Sequence, residues 1–437
     1  MRVVLTSEGS YEQREVQLVG EADYDMIYEN RASTLEAGTT WSSESFEWQS
    51  GSPTVRFVPR ADSLLTINSI VKGESAPSYK GTIEITKTEK GYVIVNEVDL
   101  EDYVAGVIPS EMPTSYGVEA LKAQAIAART YAVASLTSSK FMTYGAHVDD
   151  TTASQVYNRI AANDAAYEAA SATAGFVLKS EGQFISNKFF AASCGYTANF
   201  GEVWAGQSFP GNTPSYLISR QQYLGDRLVN NLQEEESFKN FIQLDAEDMD
   251  AFDEDSPWFR WQVTLSEEEL EQLLMPSLKQ LSTRYKGLIT YESKAGIQTD
   301  APIEDLGKIV SLEAKQRGQG GNLMTLAIYA EKGNVMVSTE YLIRSLFASN
   351  AKQDLSVTRS NDTTVSQMTL LPSAFFTIEQ TKDAQGSLQS ITLFGGGNGH
   401  GVGLSQDGAK GMAERGYTYK EILSHYYPEA ELVDVNA

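Results

Sequence analysis

Through the first hundred residues, apolar and polar positions tend to alternate with a period of two. Residues 3–5, 15–19, 55–58 and 64–71 are short apolar or alternating runs parted by Gly, Ser and Pro, and they predict strands. Residues 81–88 and 92–98 alternate on either side of Glu89, Lys90 and Gly91, which predicts a hairpin. The period then changes to three and four. Leu100, Tyr103, Val104 and Val107 share one face of a helix opened by Asp99. Val118, Leu121, Ala125, Ala128 and Ala132 share a face of a second helix, over residues 118–136. Its many alanines favour helix and permit close packing on more than one side. Between the two helices lies Pro109-Ser110-Glu111-Met112-Pro113. Pro113 pushes Met112 out of helical geometry, so Glu111 is expected on a short, stiff connector at a helix N-terminus. A carboxylate held there can be aimed, as acid–base chemistry requires. A surface-loop glutamate is the plainer alternative.

Further along, 142–150 reads as a loop and the Ala-rich stretch 163–173 as a helix. Residues 177–178 and 184–191 read as strands leading into Ser193, Cys194 and Gly195. The stretch 234–255 crowds Asp248, Asp250, Asp253, Glu254 and Asp255. It is expected to be a solvated, mobile surface segment. Calcium is the second reading, against which the spacing of an EF-hand loop is missing. Ser266 with Glu269 predicts a capping box and a helix to residue 281. Residues 309–316, 323–330 and 335–338 predict strands, and 338–347 a short helix. The glycine-rich run 394–403 lets the backbone approach a ligand closely. It is neither GxGxxG in register nor a Walker loop. Ser405 is expected to cap the next helix, which ends near Gly416, and Thr418 with Glu421 to box the last, which Pro428 stops. The expected architecture is α+β. A β-rich region spans 1–95 and a helical core carrying Glu111 spans 96–214. An acidic α/β insertion follows over 215–393, and 394–437 completes the core.

Composition narrows the chemistry. The 437 residues carry a formal net charge of −24, which disfavours nucleic acid as a partner. No run approaches the ~20 apolar residues of a membrane span. The start, MRVVLTSEGS, lacks the basic head and apolar run of a signal peptide. Cys194 has no second cysteine to pair with. Any Ser-His-Asp or Cys-His enzyme would have to use His147, His400 or His425. Cys194 and Ser193 with His400 could form a thiol hydrolase pair; a small buried apolar group is the plainer reading of the cysteine. His425 falls in the last helix and reads as structural, whereas His400 sits in the glycine run and is placed to meet a ligand. No HExxH is present, and one thiolate cannot build a thiolate-rich zinc site, so no metal or other cofactor is expected. Trp41, Phe46 and Trp48 read either as a sugar platform or as packing.

Two long segments, NEVDLEDYVAGVIPSEMP at 96–113 and EALKAQAIAARTYA at 119–132, resemble the core of the SpoIID/LytB family of bacterial cell-wall proteins. SQVY at 154–157, SCGYT at 193–197 and GHGVGLSQDGAKGMAERG at 399–416 follow in the family's order. The resemblance implies a peptidoglycan lytic transglycosylase of the sporulation type, with Glu111 as its catalytic acid/base. It implies a cleft lined by Lys122, Gln155, Tyr157, Ser193, Cys194, His400, Ser405 and Gln406. It also implies an extracytoplasmic envelope protein whose export segment has been removed, and whose partners are glycan strands and wall-remodelling proteins such as an amidase. The rival reading is a non-catalytic wall-binding modifier that stimulates an N-acetylmuramoyl-L-alanine amidase. Two departures stand out. Some members hold zinc before the QVY motif with Cys and His, where this chain has Asp149, Asp150, Thr151, Thr152, Ala153 and Ser154. Asn398 stands where the family usually has Trp. A single-carboxylate mechanism further requires that Asp149, Asp150 and Glu101 not face Glu111 as a second glycosidase carboxylate.

Overall fold

The alternating runs at the start of the chain form a seven-stranded sheet. Its order is Val148–Asp149, Arg2–Leu5, Tyr92–Glu97, Thr82–Lys87, Thr54–Pro59, Tyr24–Tyr28 and Arg31–Leu35. All neighbours are antiparallel except Val148–Asp149, which runs parallel to Arg2–Leu5. Val55, Phe57, Ile83 and Ile85 are fully buried on one face. The intervening Arg56 and Glu84 point the other way and join Arg2 and Glu97 in a charge network. Arg31–Leu35 is exposed at every position but the last, so it shows no alternation to read. The structure is a computed structural model describing residues 1–49, 51, 53–73, 75–226, 228–244, 246–293, 296–298 and 302–436.

The chain divides into two compact units, Met1–Asn187 with Ala430–Ala437, and Lys188–Glu429. Among the described residues the first also holds three α-helices: α1 (Leu100–Glu111), α2 (Val118–Ser135) and α3 (Asp164–Ala172). Asp99 caps α1 and Asn163 caps α3 through their side chains. Arg129 of α2, fully buried, ties them together. It forks onto Glu101 of α1 at 2.8 and 2.5 Å and donates to the carbonyls of Ala170 and Phe176 at 3.0 and 3.2 Å. Trp41, Phe46 and Trp48 pack on one another, with Trp41 on Phe57 at 5.1 Å and Trp48 on Tyr92 at 5.6 Å, so they serve as packing.

The second unit holds two five-stranded sheets. One runs Thr364–Val365, Val357–Arg359, Trp261–Ser266, Leu388–Gly395, Phe376–Lys382; the other runs Gly296–Gln298, Ile289–Ser293, Gly333–Ser338, Leu323–Ala330, Ile309–Arg317. They share a core with the helix Glu267–Arg284, whose Leu270, Leu273, Leu274 and Leu278 are fully buried. The fold is α+β. The expected boundary near 214 falls inside the second unit, because residues 189–198 bond to later chain. Phe189–Phe190 pairs with Leu404–Ser405, Thr197 N–H reaches Arg220 O at 2.9 Å, and Ala198 N–H reaches Gly401 O at 2.7 Å.

The acidic stretch corrects its sequence reading. Phe238, Phe241 and Ile242 of the helix Glu235–Ile242 are buried, as are Ala251, Phe252 and Asp253. Apolar residues at helical spacing overrode the charge signal. Asp250 and Glu254 pair with Arg415, and Asp255 with Lys410. Three of the carboxylates that suggested calcium, Asp250, Glu254 and Asp255, therefore face cations of the chain itself, and Asp253 is buried.

Candidate active site

Glu111 is the last residue of α1, not part of a connector at a helix N-terminus. The helix runs through Pro109, past the point where sequence rules would stop it. Ser110 Oγ donates to Gly106 O at 2.9 Å and accepts from the N–H groups of Arg159 and Ile160 at 3.0 and 3.3 Å. Met112 then turns extended, at φ −138° and ψ 132°, as Pro113 demands. The half-buried Glu111 carboxylate accepts the backbone N–H of Val156 at 2.6 Å.

Val156 can reach Glu111 because its segment lies close against α1. A Cβ on Gly106 would come within 2.6 Å of Asn158 Oδ1 and 2.7 Å of the Tyr157 ring, so only glycine permits this approach. Gln155 on one side is fully buried, its amide oxygen accepting Tyr103 O–H at 3.1 Å. Burial pushes the Tyr103 phenol well up, which keeps it a donor. Tyr157 on the other side is 1% exposed, lies between Tyr79 and Tyr103, and gives its hydroxyl to Asn96 at 2.8 Å. Asn96 and Tyr103 were not among the expected site residues; both fall within the NEVDLEDY run.

The acidic neighbours in this unit are engaged. Glu101 holds Arg129. Asp150 accepts from Thr6 N–H and Thr6 O–H and pairs with Lys72. Asp149 accepts from Tyr11 O–H at 2.9 Å and Thr151 O–H at 2.7 Å. The loop 149–154 is closed by those bonds, by Asp149 N–H to Ser154 Oγ at 3.2 Å, and by Lys140 Nζ to Ala153 O at 2.7 Å. It offers neither thiolate nor imidazole, so its donors do not suit the zinc held there by some relatives. Among the described residues no group of three or more His, Cys, Asp or Glu could hold a metal. Lys122 of α2 is partly exposed and pairs with Glu119 at 2.9 Å.

The remaining expected residues belong to the second unit. Ser193 gives its N–H and its hydroxyl to the Asp253 carboxylate at 2.8 and 2.7 Å. Ser405 donates to the same carboxylate, accepts Ser193 N–H at 3.2 Å, and caps the helix Gln406–Glu414. Burial pushes the Asp253 carboxyl up to about 7 against these donors. Burial also raises the Cys194 thiol to about 11, which makes it inert and removes the thiol hydrolase pair. His400 Nδ1 accepts Val402 N–H at 3.1 Å, and its ring meets Trp204 at 4.9 Å and Phe190 at 5.7 Å. Burial, with the Lys188 and Arg344 cations, pushes its imidazolium down to about 3, so it is a neutral ring. Gln406 is 6% exposed. Gln155, Tyr157, Ser193, Cys194 and Ser405 are each no more than 2% exposed, so those five side chains hold the motifs in shape from inside their units.

The glycine run spends its freedom on the protein's own chain rather than on a ligand. A Cβ on Gly403, at φ +77°, would lie 2.1 Å from Lys188 O. One on Gly397, at φ +80°, would lie 2.9 Å from Ala192 O. Asn398, where the resemblance leads one to expect Trp, exchanges backbone hydrogen bonds with Ala192 at 2.7 and 3.1 Å.

Comparison with known proteins adds to this geometry. Residues 88–179 match the family described as Stage II sporulation protein, SpoIID, and residues 198–403 match a domain of unknown function. An amidase enhancer of Bacillus subtilis (strain 168) is 31% identical over 330 residues, covering 75% of this chain. This chain spans 40% of that protein's length. A stage II sporulation protein D of Bacillus amyloliquefaciens is 28% identical, covering 78% of this chain and 76% of the relative. An uncharacterised protein of Brachyspira hyodysenteriae is 28% identical over 94% of this chain and 82% of its own length.

Proposed function

Because the chain belongs to the SpoIID/LytB family, we propose that it is a peptidoglycan lytic transglycosylase with Glu111 as its acid/base. The substrate is the β-1,4 bond between N-acetylmuramic acid and N-acetylglucosamine. The Glu111 carboxyl gives its proton to the glycosidic oxygen as the bond to the muramoyl anomeric carbon breaks. The resulting carboxylate takes the proton of the muramoyl 6-hydroxyl, whose oxygen closes on that carbon. The products are a 1,6-anhydro sugar and a free N-acetylglucosamine 4-hydroxyl. No water is consumed, and one carboxylate serves twice.

The observation that carries this reading is the hold on Glu111. A helix end fixes its backbone, and Val156 N–H fixes one oxygen at 2.6 Å. The three carboxylates that would make a two-carboxylate hydrolase, Glu101, Asp149 and Asp150, are bound to internal partners. The deciding experiment incubates the protein with glycan strands stripped of stem peptides and weighs the products by mass spectrometry. Anhydro ends support the proposal, and reducing ends without them mean hydrolysis.

The name of the amidase-enhancer relative favours a second reading, a non-catalytic wall-binding modifier of an amidase. Binding of glycan without cleavage, together with faster release of stem peptides by an added N-acetylmuramoyl-L-alanine amidase, supports that reading. Either role places the chain outside the cytoplasm, at the envelope. Among the described residues no helix is long and apolar enough to cross a membrane.

A further inference from the structure

The second unit contains a groove of about 760 Å³ lined by residues 219–221, 223 and 224, by Phe252, by Met412 of the helix Gln406–Glu414, and by residues of the last helix and the turn before it. Its deep lining is aromatic and apolar: Tyr223, Phe252 and Met412 are each no more than 5% exposed, and Tyr417 packs edge-on against Phe252 at 6.0 Å. Two cations enter the same lining. Arg220 is half-buried and Lys420 exposed. Among the described residues, neither has a carboxylate within 4.0 Å. The lining's own carboxylate, Glu421, is engaged at the start of its helix. It accepts the N–H and hydroxyl of Thr418 at 2.8 Å each, closing a capping box.

The contrast with nearby cations is informative. Arg415, over the same Phe252 ring, is held by Asp250 and Glu254 at 3.2 and 2.9 Å. In a chain of net charge −24, carboxylates are abundant, yet among the described residues neither Arg220 nor Lys420 has one within 4.0 Å. His425, in the same lining, shares its Nε2 with Gln222 Oε1 at 3.2 Å. Burial and then the Arg220 cation hold its imidazolium down to about 4, so at neutral pH it is a flat uncharged ring. Ser219, Gln221 and Ser424 add neutral hydrogen-bonding groups to the lining.

We propose that this groove binds an anionic saccharide, its sugar face against the partly exposed rings of Tyr417 and His425 and its carboxylate or phosphate between Arg220 and Lys420. Aromatic faces with hydroxyl and amide groups at the rim suit a pyranose ring. Two unpaired cations suit one anionic group per few sugars. A dense polyanion such as nucleic acid is repelled by the chain's overall charge. The site lies wholly in the second unit and makes no use of Glu111, so it stands or falls apart from the transglycosylase reading.

The test measures hydrogen exchange in the full chain carrying Glu111→Gln, which keeps a cleavable ligand intact. Four probes are compared. They are an N-acetylglucosamine–N-acetylmuramic acid tetrasaccharide with free lactyl carboxylates, a glucosylated glycerol-phosphate oligomer, neutral chitotetraose, and a Glu-rich peptide. The expected result is protection of amides 219–225 and 417–425 by at least one acidic saccharide; the one that protects identifies the anion. Adding Arg220→Gln and Lys420→Gln should raise its half-saturating concentration about tenfold or more while the melting temperature holds. Raising the salt should weaken binding in the parent and less so in the variant. The proposal is overturned if no probe protects these amides, or if chitotetraose or the peptide protects them as well. It is also overturned if the double variant binds like its parent.

Discussion

Ser193 and Ser405, 212 residues apart in sequence, meet on one carboxylate, that of the buried Asp253. This joins the SCGYT and GHG motifs through a residue of the acidic stretch, and it makes the second unit sensitive to pH. The folded Asp253 carboxyl is raised to about 7, whereas an unfolded one titrates near 3.8. Between those values the folded chain holds a proton that the unfolded chain has lost. This group's contribution is therefore complete below pH 3.8 and is lost as pH rises through 7. The slope is at most about 1.4 kcal/mol per pH unit. Asp253→Asn, which mimics the protonated form, should remove that slope. The difference in unfolding free energy between wild type and variant, measured in urea from pH 4 to 8, should change with pH in that sense. A constant difference would sink the assignment.

The histidines act in the opposite direction. His400 and His425 are pushed down to about 3 and about 4, below the ordinary 6.5. Unfolded histidines take up protons as pH falls through 6.5, while these two stay neutral. Their contribution is full above pH 6.5 and is lost progressively down to about 4 for His425 and about 3 for His400. His425→Gln should flatten the acid side of the stability profile. An unchanged acid midpoint would count against its burial as a neutral ring.

Arg129 is the structural arginine of the first unit. Arg129→Met should lower stability by about 3 kcal/mol or more, because Glu101 and the carbonyls of Ala170 and Phe176 lose their donors inside the protein. Urea denaturation reads this directly. A loss of under about 1 kcal/mol would mean that water replaces the guanidinium easily.

Local signals carried the sequence reading well where one residue answers another three or four positions away. Asp99 and Ser405 cap their helices through their side chains, and the Ser266–Glu269 and Thr418–Glu421 boxes both close. Glu111 was misplaced because the run from Pro109 to Pro113 was read as a connector between two helices, whereas α1 continues to Glu111. The donors that steady the turn around it, from Asn158, Arg159 and Ile160, lie about fifty residues on and leave no trace near Glu111. The Val156 amide on Glu111 is hidden for the same reason, since a backbone donor has no letter of its own. Asp253 was legible only as one acid among several. Nothing in composition distinguishes the carboxylate under two serines from neighbours that meet Arg415 or Lys410.

Chelation should change nothing in this protein. The loop 149–154 is closed by Asp149, Thr151, Ser154 and Lys140 rather than by a metal. Treatment with a strong chelator should leave the melting temperature and glycan cleavage as they were. Stoichiometric zinc in elemental analysis of the purified protein would contradict this.

Glu111→Gln separates chemistry from structure. Glutamine keeps the shape of the side chain and an oxygen that can still accept Val156 N–H, so the melting temperature should stay close to that of the wild type. It cannot deliver or accept the transferred proton. Cleavage should fall by about 10²–10⁴, and further if the same group is both acid and base. Glycan binding should persist, because the substitution removes no bulk. Near-native turnover in this variant would remove Glu111 from the mechanism. Loss of both binding and thermal stability would assign the residue to holding α1 against the 155–158 segment instead. One further outcome would transfer the protein to the modifier reading: a wild type that binds stripped strands without cutting them, and that quickens an added amidase no better than the Glu111→Gln variant does.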